Sequence, residues 1–223
     1  RLLSRYGVRA QTLTPEQSNP KAYNIASSDS VVQRLTKGYY EQVVSLGARL
    51  GVQRISLNAG WRLLDDEPAR AWEALCSMLR TICRMAADEG IEVCVEPLSR
   101  TWYRLVMDAD GLSRLLEEVN EENLHATLDT GTIARNGDDL ATYLQGIGER
   151  IGYVHLTNLD PNVFAHLGWG DCRGVLDPAA VLQELGAHGY EGDCALEMTA
   201  PAYYDRPHEV LARSIDTLKG CER

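Results

Sequence analysis

Short apolar runs alternate along this chain with amphipathic helical stretches, and no strand–turn–strand hairpin breaks the alternation. Strands joined through a helix pair in parallel, so the pattern points to a parallel sheet covered by helices. The strand readings are Val8–Leu13, Arg54–Asn58, Ile91–Glu96, Ala126–Asp129, Tyr153–Thr157 and Asp193–Met198. Helices are predicted over 29–49, 68–89, 110–119, 138–147 and 178–188, with a last one over 207–218. Asp29, Asp110 and Asp138 stand where an N-cap or first-turn acid supports a helix start. Pro68, Pro178 and Pro207 suit a first turn, whose N–H groups have no intrahelical acceptor. Gly51, Gly90 and Gly189 fall where helices end. The opening residues Arg1 to Gly7 read as the last turn of a helix, which predicts a further segment upstream. Six strand–helix units fit an open doubly wound sheet or a closed (β/α)8 barrel, and the polar residues have to separate the two.

The later strands end alike. Val95-Glu96-Pro97 closes one strand on a carboxylate, Leu128-Asp129-Thr130-Gly131 closes the next on another, Val154-His155-Leu156 carries an imidazole, and Leu196-Glu197 brings a third carboxylate. In a parallel barrel the C-terminal strand ends share one face, the face on which barrel enzymes build their sites. Neighbouring strands lie about 4.8 Å apart, close enough for four inward side chains to meet on one ion. Crowded carboxylates repel one another unless a cation neutralises them. Glu96, Asp129, His155 and Glu197 are therefore the predicted ligands of one divalent metal. An oxygen-rich set with one imidazole suits Mn2+ best, with Mg2+ or Co2+ as alternatives, and suits zinc less.

Composition narrows the partners. At 223 residues and 44% hydrophobic, the chain can bury one core, and a single domain over 1–223 is expected. Lys and Arg number 22 against 32 Asp and Glu, a formal net charge of -10 that argues against nucleic acid as a partner. No polybasic patch offers itself to an anionic membrane, and uncharged stretches such as Pro161 to Gly170 reach about half a span. No basic-then-apolar leader opens the sequence, so a cytoplasmic protein is expected. Cysteines at 76, 83, 94, 172, 194 and 221 form no C-x-x-C pair and read as core thiols of a reducing compartment.

Of the remaining histidines, His125 begins its strand, at the end opposite Asp129, and reads as structural. His188 suits a cation at a helix C-terminus, and His208 a solvated first turn. His166 lies in the long connection 158–174, beside Trp169 and Arg173; a βα loop of that length suits a substrate lid. Trp61, Trp102 and Tyr103 follow strand ends and are candidates to wall a substrate, as are His166 and Arg173 to bind one.

With these residues assembled, the chain resembles the xylose-isomerase-like TIM-barrel superfamily of sugar isomerases, epimerases and type-2 AP endonucleases, and within it the tagatose/psicose 3-epimerases. The order Glu, Asp, His, Glu at 96, 129, 155 and 197 is similar to that family's metal set, and Gly170-Asp171-Cys172-Arg173-Gly174-Val175-Leu176-Asp177 to its glycine-rich segment. Leu13-Thr14-Pro15-Glu16 and Tyr23-Asn24-Ile25-Ala26-Ser27 resemble the fructoselysine 3-epimerase branch. The resemblance implies a (β/α)8 barrel whose first two βα units lie outside the given chain. Thr132 stands where the epimerases carry a His, and Pro161 stands in the region where they often place an Arg, a role open to Arg173.

The resemblance also implies proton abstraction next to a ketose carbonyl through a metal-stabilised enediolate, with Glu96 and Glu197 on opposite sides of the carbon and Glu197 as first base. The substrate would be an unphosphorylated sugar or sugar conjugate, and the assembly a homo-oligomer. Two rivals stay open: a lyase of the same superfamily, either a dehydratase or a C-glycoside-cleaving enzyme, and a non-catalytic barrel subunit that binds sugar.

Overall fold

The computed structural model describes residues 2–15, 23–101 and 104–221. The chain divides into two compact units, Arg1–Ala126 and Thr127–Arg223, and the boundary falls inside a strand.

In the first unit, α1 (Leu2–Arg5) precedes β1 (Thr12–Leu13), α2 (Ser30–Leu50), β2 (Arg54–Asn58), α3 (Pro68–Ala87), β3 (Glu92–Glu96) and α4 (Ala109–Val119). β4 (Leu124–Asp129) then begins here and ends in the second unit. β1 pairs with β2, β2 with β3 and β3 with β4, all parallel; Ser56 stands opposite Cys94, and Cys94 opposite His125. β2 and β3 are buried in four of their five positions, as strands covered on both faces must be. The helices bury single stripes: Ala71, Leu75, Leu79, Ile82 and Ala86 on α3, and Leu112, Leu115, Leu116 and Val119 on α4. Each leucine so buried contributes about 1.5–3 kcal/mol of hydrophobic stabilisation. Asp29 caps α2 by accepting from the amides of Val31 and Val32, and Gly51 ends it at φ 69. Asp108, not Asp110, is the N-cap of α4; Asp110 lies in its first turn.

The second unit contains α5 (Thr130–Arg135), α6 (Leu140–Ile147), β5 (Ile151–His155), the strands β6 (Asn158–Leu159) and β7 (His166–Leu167), α7 (Pro178–Ala187), β8 (Cys194–Ala195) and α8 (Pro207–Cys221). β5 and β8 pair in parallel, and the principal sheet has the order β1-β2-β3-β4-β5-β8. β6 and β7 form a separate antiparallel ribbon, with Asn158 opposite Leu167 and Leu159 opposite His166. Ala165, Leu167, Ala200, Tyr203 and Val210 make a core cluster against which Met198 packs. No helix among the described residues is long and apolar enough to cross a membrane.

Several boundaries differ from the sequence reading. The strand expected over Val8–Leu13 is only Thr12–Leu13, and that over Asp193–Met198 only Cys194–Ala195. Both are end strands in the described sheet, where one missing neighbour removes half the ladder hydrogen bonds. Cys76, Cys83 and Cys94 are core thiols as expected, but Cys172 and Cys194 are exposed and Cys221 half-buried. Asp138 does not cap α6, whose N-cap position is Asp139; Asp138 instead accepts the Tyr143 hydroxyl at 3.1 Å. The antiparallel ribbon was not anticipated, because each of its strands is too short to show a period.

Candidate metal centre

Asp129 is the last residue of β4 and also the N-cap of α5. Its Oδ1 is occupied locally, accepting from the Thr132 amide and from the Thr157 hydroxyl at 2.9 Å. Its Oδ2 is buried and has no hydrogen-bond partner. A buried carboxylate oxygen left without a donor is costly unless something positive meets it.

Three further side chains of the same unit face that oxygen or one another. The ligand atoms of Asp129, His155 and Glu197 all lie within 4.8 Å of one another. His155, the last residue of β5, places Nδ1 3.9 Å from Asp129 Oδ2 and 3.2 Å from Glu197 Oε2. His166, on β7, places its own Nδ1 3.7 Å from Asp129 Oδ2 and 3.2 Å from the same Glu197 oxygen. The Asp129 side chain is fully buried and that of His155 nearly so, whereas the Glu197 side chain retains 38% exposure. Burial acts to raise the Glu197 carboxyl, but hydrogen bonds and charge from His155 and His166 outweigh it and hold the group well below the usual carboxylate range.

Threonines brace the centre. Thr130 Oγ1 donates to the Thr157 carbonyl at 2.6 Å and accepts from the Thr157 amide at 2.9 Å, while Gly131 N donates to Thr157 Oγ1 at 2.8 Å. Thr157 thus links the chain after His155 to the first turn of α5 and orients Asp129 as it does so. The sequence reading missed this role. Its signal was available in the two-residue spacing from His155, which puts both side chains on one face of an extended segment.

The other anticipated residues are placed as follows. Glu96 ends β3 in the first unit and is buried, 8% exposed. Trp61 follows β2 there, its backbone held by Asn24, which donates to the Trp61 carbonyl at 2.8 Å and accepts from its amide at 3.2 Å. Trp102, Tyr103 and Glu16 lie outside the described residues. Arg173 gives its guanidinium to Asp171, through Nε at 3.0 Å and Nη2 at 2.8 Å, and so ties its own loop. His188 closes α7 beside the Glu184 carbonyl, at 3.0 Å, as a helix-terminal histidine should.

A profile of the xylose isomerase-like TIM barrel family matches residues 1–221. The chain belongs to that family. Among its relatives, fructoselysine 3-epimerase of Escherichia coli O157:H7 is 19% identical over 206 residues, covering 92% of this chain and 74% of that one. Mannonate dehydratase of Enterococcus faecalis is 29% identical over 129 residues, covering 54% of this chain and 36% of the other. The structure of D-psicose 3-epimerase with D-tagatose from Clostridium cellulolyticum H10 has the same fold, with a TM-score of 0.81 at 16% identity over 98% of this chain and 79% of that one. In this xylose isomerase-like barrel, two imidazole nitrogens and two carboxylate oxygens share one small space, and one of those oxygens lacks any donor. That donor set fits a divalent cation.

Proposed function

We propose that this chain is a divalent-metal-dependent sugar epimerase that inverts a carbon next to a ketose carbonyl. The observation that carries the reading is the buried, donorless Oδ2 of Asp129 facing His155 and beside Glu197, in a family whose relatives include sugar 3-epimerases. Glu96 completes the ligand set in this reading. Its place in the order Glu, Asp, His, Glu along the chain supports that role. Mn2+, Mg2+ or Co2+ suits the resulting three carboxylates and one imidazole.

When bound, the cation supplies polarisation of the substrate carbonyl and so acidifies the neighbouring C–H. The rest belongs to the side chains. Asp129 is held by Thr132 and Thr157 so that only Oδ2 is offered to the site. Glu197 is ionised, and with Oε2 turned to the imidazoles its Oε1 takes the proton from the substrate carbon. A proton drawn from solvent is then delivered to the opposite face, a role this reading gives to Glu96, while the proton on Glu197 passes back to solvent, and the centre is inverted. Partial exposure of Glu197 suits a group that must meet a substrate arriving from solvent.

The mannonate dehydratase relative favours a second reading, in which the same proton abstraction is followed by loss of water. Incubation of the metal-loaded protein with a ketose panel in deuterated water separates the two. Deuterium uptake with inversion of one centre supports epimerisation, whereas an unsaturated or dehydrated product supports the lyase. Failure of any ketose to exchange, with metal loading verified, overturns both.

A further inference from the structure

The sequence places His155 in the ligand set and His166 on a loop, yet the two imidazoles meet the carboxylates in nearly the same way. Each Nδ1 lies 3.2 Å from Glu197 Oε2, and their separations from Asp129 Oδ2 are 3.9 Å for His155 and 3.7 Å for His166. The oxygen they share an approach to is the fully buried one that no hydrogen bond satisfies.

His166 is also positioned with more care than a lid residue requires. Its backbone pairs with Leu159 across the β6–β7 ribbon. Its amide donates to Thr199 Oγ1 at 3.0 Å, and its carbonyl accepts from the amides of Thr199 and Ala200 at 3.1 and 3.3 Å. Thr199 lies two residues after Glu197, so the same short segment carries the carboxylate and anchors the imidazole that faces it. The next glycine keeps the ribbon tight: a Cβ on Gly168 would come within 2.6 Å of Ser214 Oγ and 2.8 Å of Met198 Sδ.

Building on the metal-dependent reading above, we propose that His166 is a second imidazole ligand of the cation, supplied by the ribbon rather than by a barrel strand. With two imidazoles the site gains nitrogen character and selects Co2+ and Zn2+ over Mg2+ more strongly than three carboxylates and one histidine would. The His166 side chain keeps 21% exposure, against 6% for His155.

The test uses Co2+ as a spectroscopic probe on the metal-stripped full chain, with no substrate present. Equilibrium dialysis and the visible d–d absorption are compared for the wild type, His166→Ala and His166→Gln, with circular dichroism confirming that each variant is folded. The expected result is a Co2+ affinity at least about tenfold weaker in both variants, a changed band position and intensity, and a reduced preference for Zn2+ over Mg2+ in competition. Unchanged Co2+ affinity and spectrum in folded variants overturn the ligand role. A raised KM in a separate ketose assay, with Co2+ affinity and spectrum unchanged, likewise overturns it and makes His166 a substrate contact. A wild type that takes up no Co2+ sinks the metal-dependent reading itself, and is distinguishable because it precedes any comparison of variants.

Discussion

Thr157 shows how much of the site is decided one hydroxyl at a time. Its Oγ1 donates to the inner oxygen of Asp129 and accepts the Gly131 amide, so both groups depend on one side chain. Thr157→Val keeps the shape and removes the hydroxyl, leaving a buried amide and a carboxylate oxygen each one partner short. Denaturant unfolding of the variant is expected to show a loss of about 1–3 kcal/mol, and dialysis a 10–100-fold weaker cation affinity, roughly what loss of a supporting hydrogen bond at a metal site costs. Glu197→Gln removes the proposed base with little change of volume at a partly exposed position. Exchange of substrate hydrogen with solvent is expected to fall by about 10²-fold or more, measured by NMR in deuterated water on the metal-loaded protein, while the folded signal is retained. At this scale the sequence was informative about residue types. Carboxylates gathered at or just beyond successive strand ends, with an imidazole among them, repel one another unless a cation is shared, and that pattern alone singled out Glu96, Asp129, His155 and Glu197 as candidates. Thr157 and the true position of His166 were invisible, because a hydroxyl and a loop histidine have many ordinary explanations.

Among the elements, long amphipathic helices were legible and short elements were not. α3 and α4 each carry a stripe that repeats every three to four residues, and each stripe is buried. Trp72 on α3 donates to Glu118 of α4 at 2.6 Å, with the Arg114 guanidinium 4.2 Å from the Trp72 ring, so this helix pair also has a polar clasp. By contrast α5 is six residues of Thr130-Gly131-Thr132-Ile133-Ala134-Arg135, with two β-branched threonines and a glycine against helix formation. What supports it is Asp129 at the N-cap, a carboxylate of the candidate site that also satisfies a helix amide. The exposed N-cap of α2 provides the control. Asp29→Ala removes bonds of 2.8 and 3.0 Å to the amides of Val31 and Val32, and thermal or chemical unfolding is expected to register a loss of about 1 kcal/mol with no change in cation affinity.

For the molecule as a whole, stability is expected to depend on cation and on acid. A cation that binds only the folded chain, supplied at 100 times its Kd, raises stability by about 2.7 kcal/mol, and a chelator removes that gain in a thermal unfolding experiment. The acid response has a second source away from the centre. Asp171 accepts hydrogen bonds from the Arg173 guanidinium, which outweigh its burial, and from the Tyr203 hydroxyl at 2.6 Å, and these hold its carboxyl well below the usual range. A carboxyl depressed on folding contributes stability above its unfolded pKa and loses it as pH falls, so this contribution should fade from about pH 4 downward. Asp171→Asn should flatten the chelated protein's unfolding midpoint against pH in that window. An unaltered slope there would show that the staple adds nothing to global stability.

The alternation of the longer strands and helices, and the kinds of side chain at or just beyond the strand ends, were legible in the sequence alone, whereas the short α5, β6 and β7 were not. Both are local properties: hydrophobic period sets an element, and the residue at its end is read directly. Which histidine nitrogens face Asp129 and Glu197 was decided only by tertiary structure. Residues 155 and 166 are brought to one carboxylate oxygen by a two-residue ribbon, anchored through Thr199 on the segment beyond Glu197. Contacts of that range depend on backbone hydrogen bonds between distant segments, and no spacing along the chain records them.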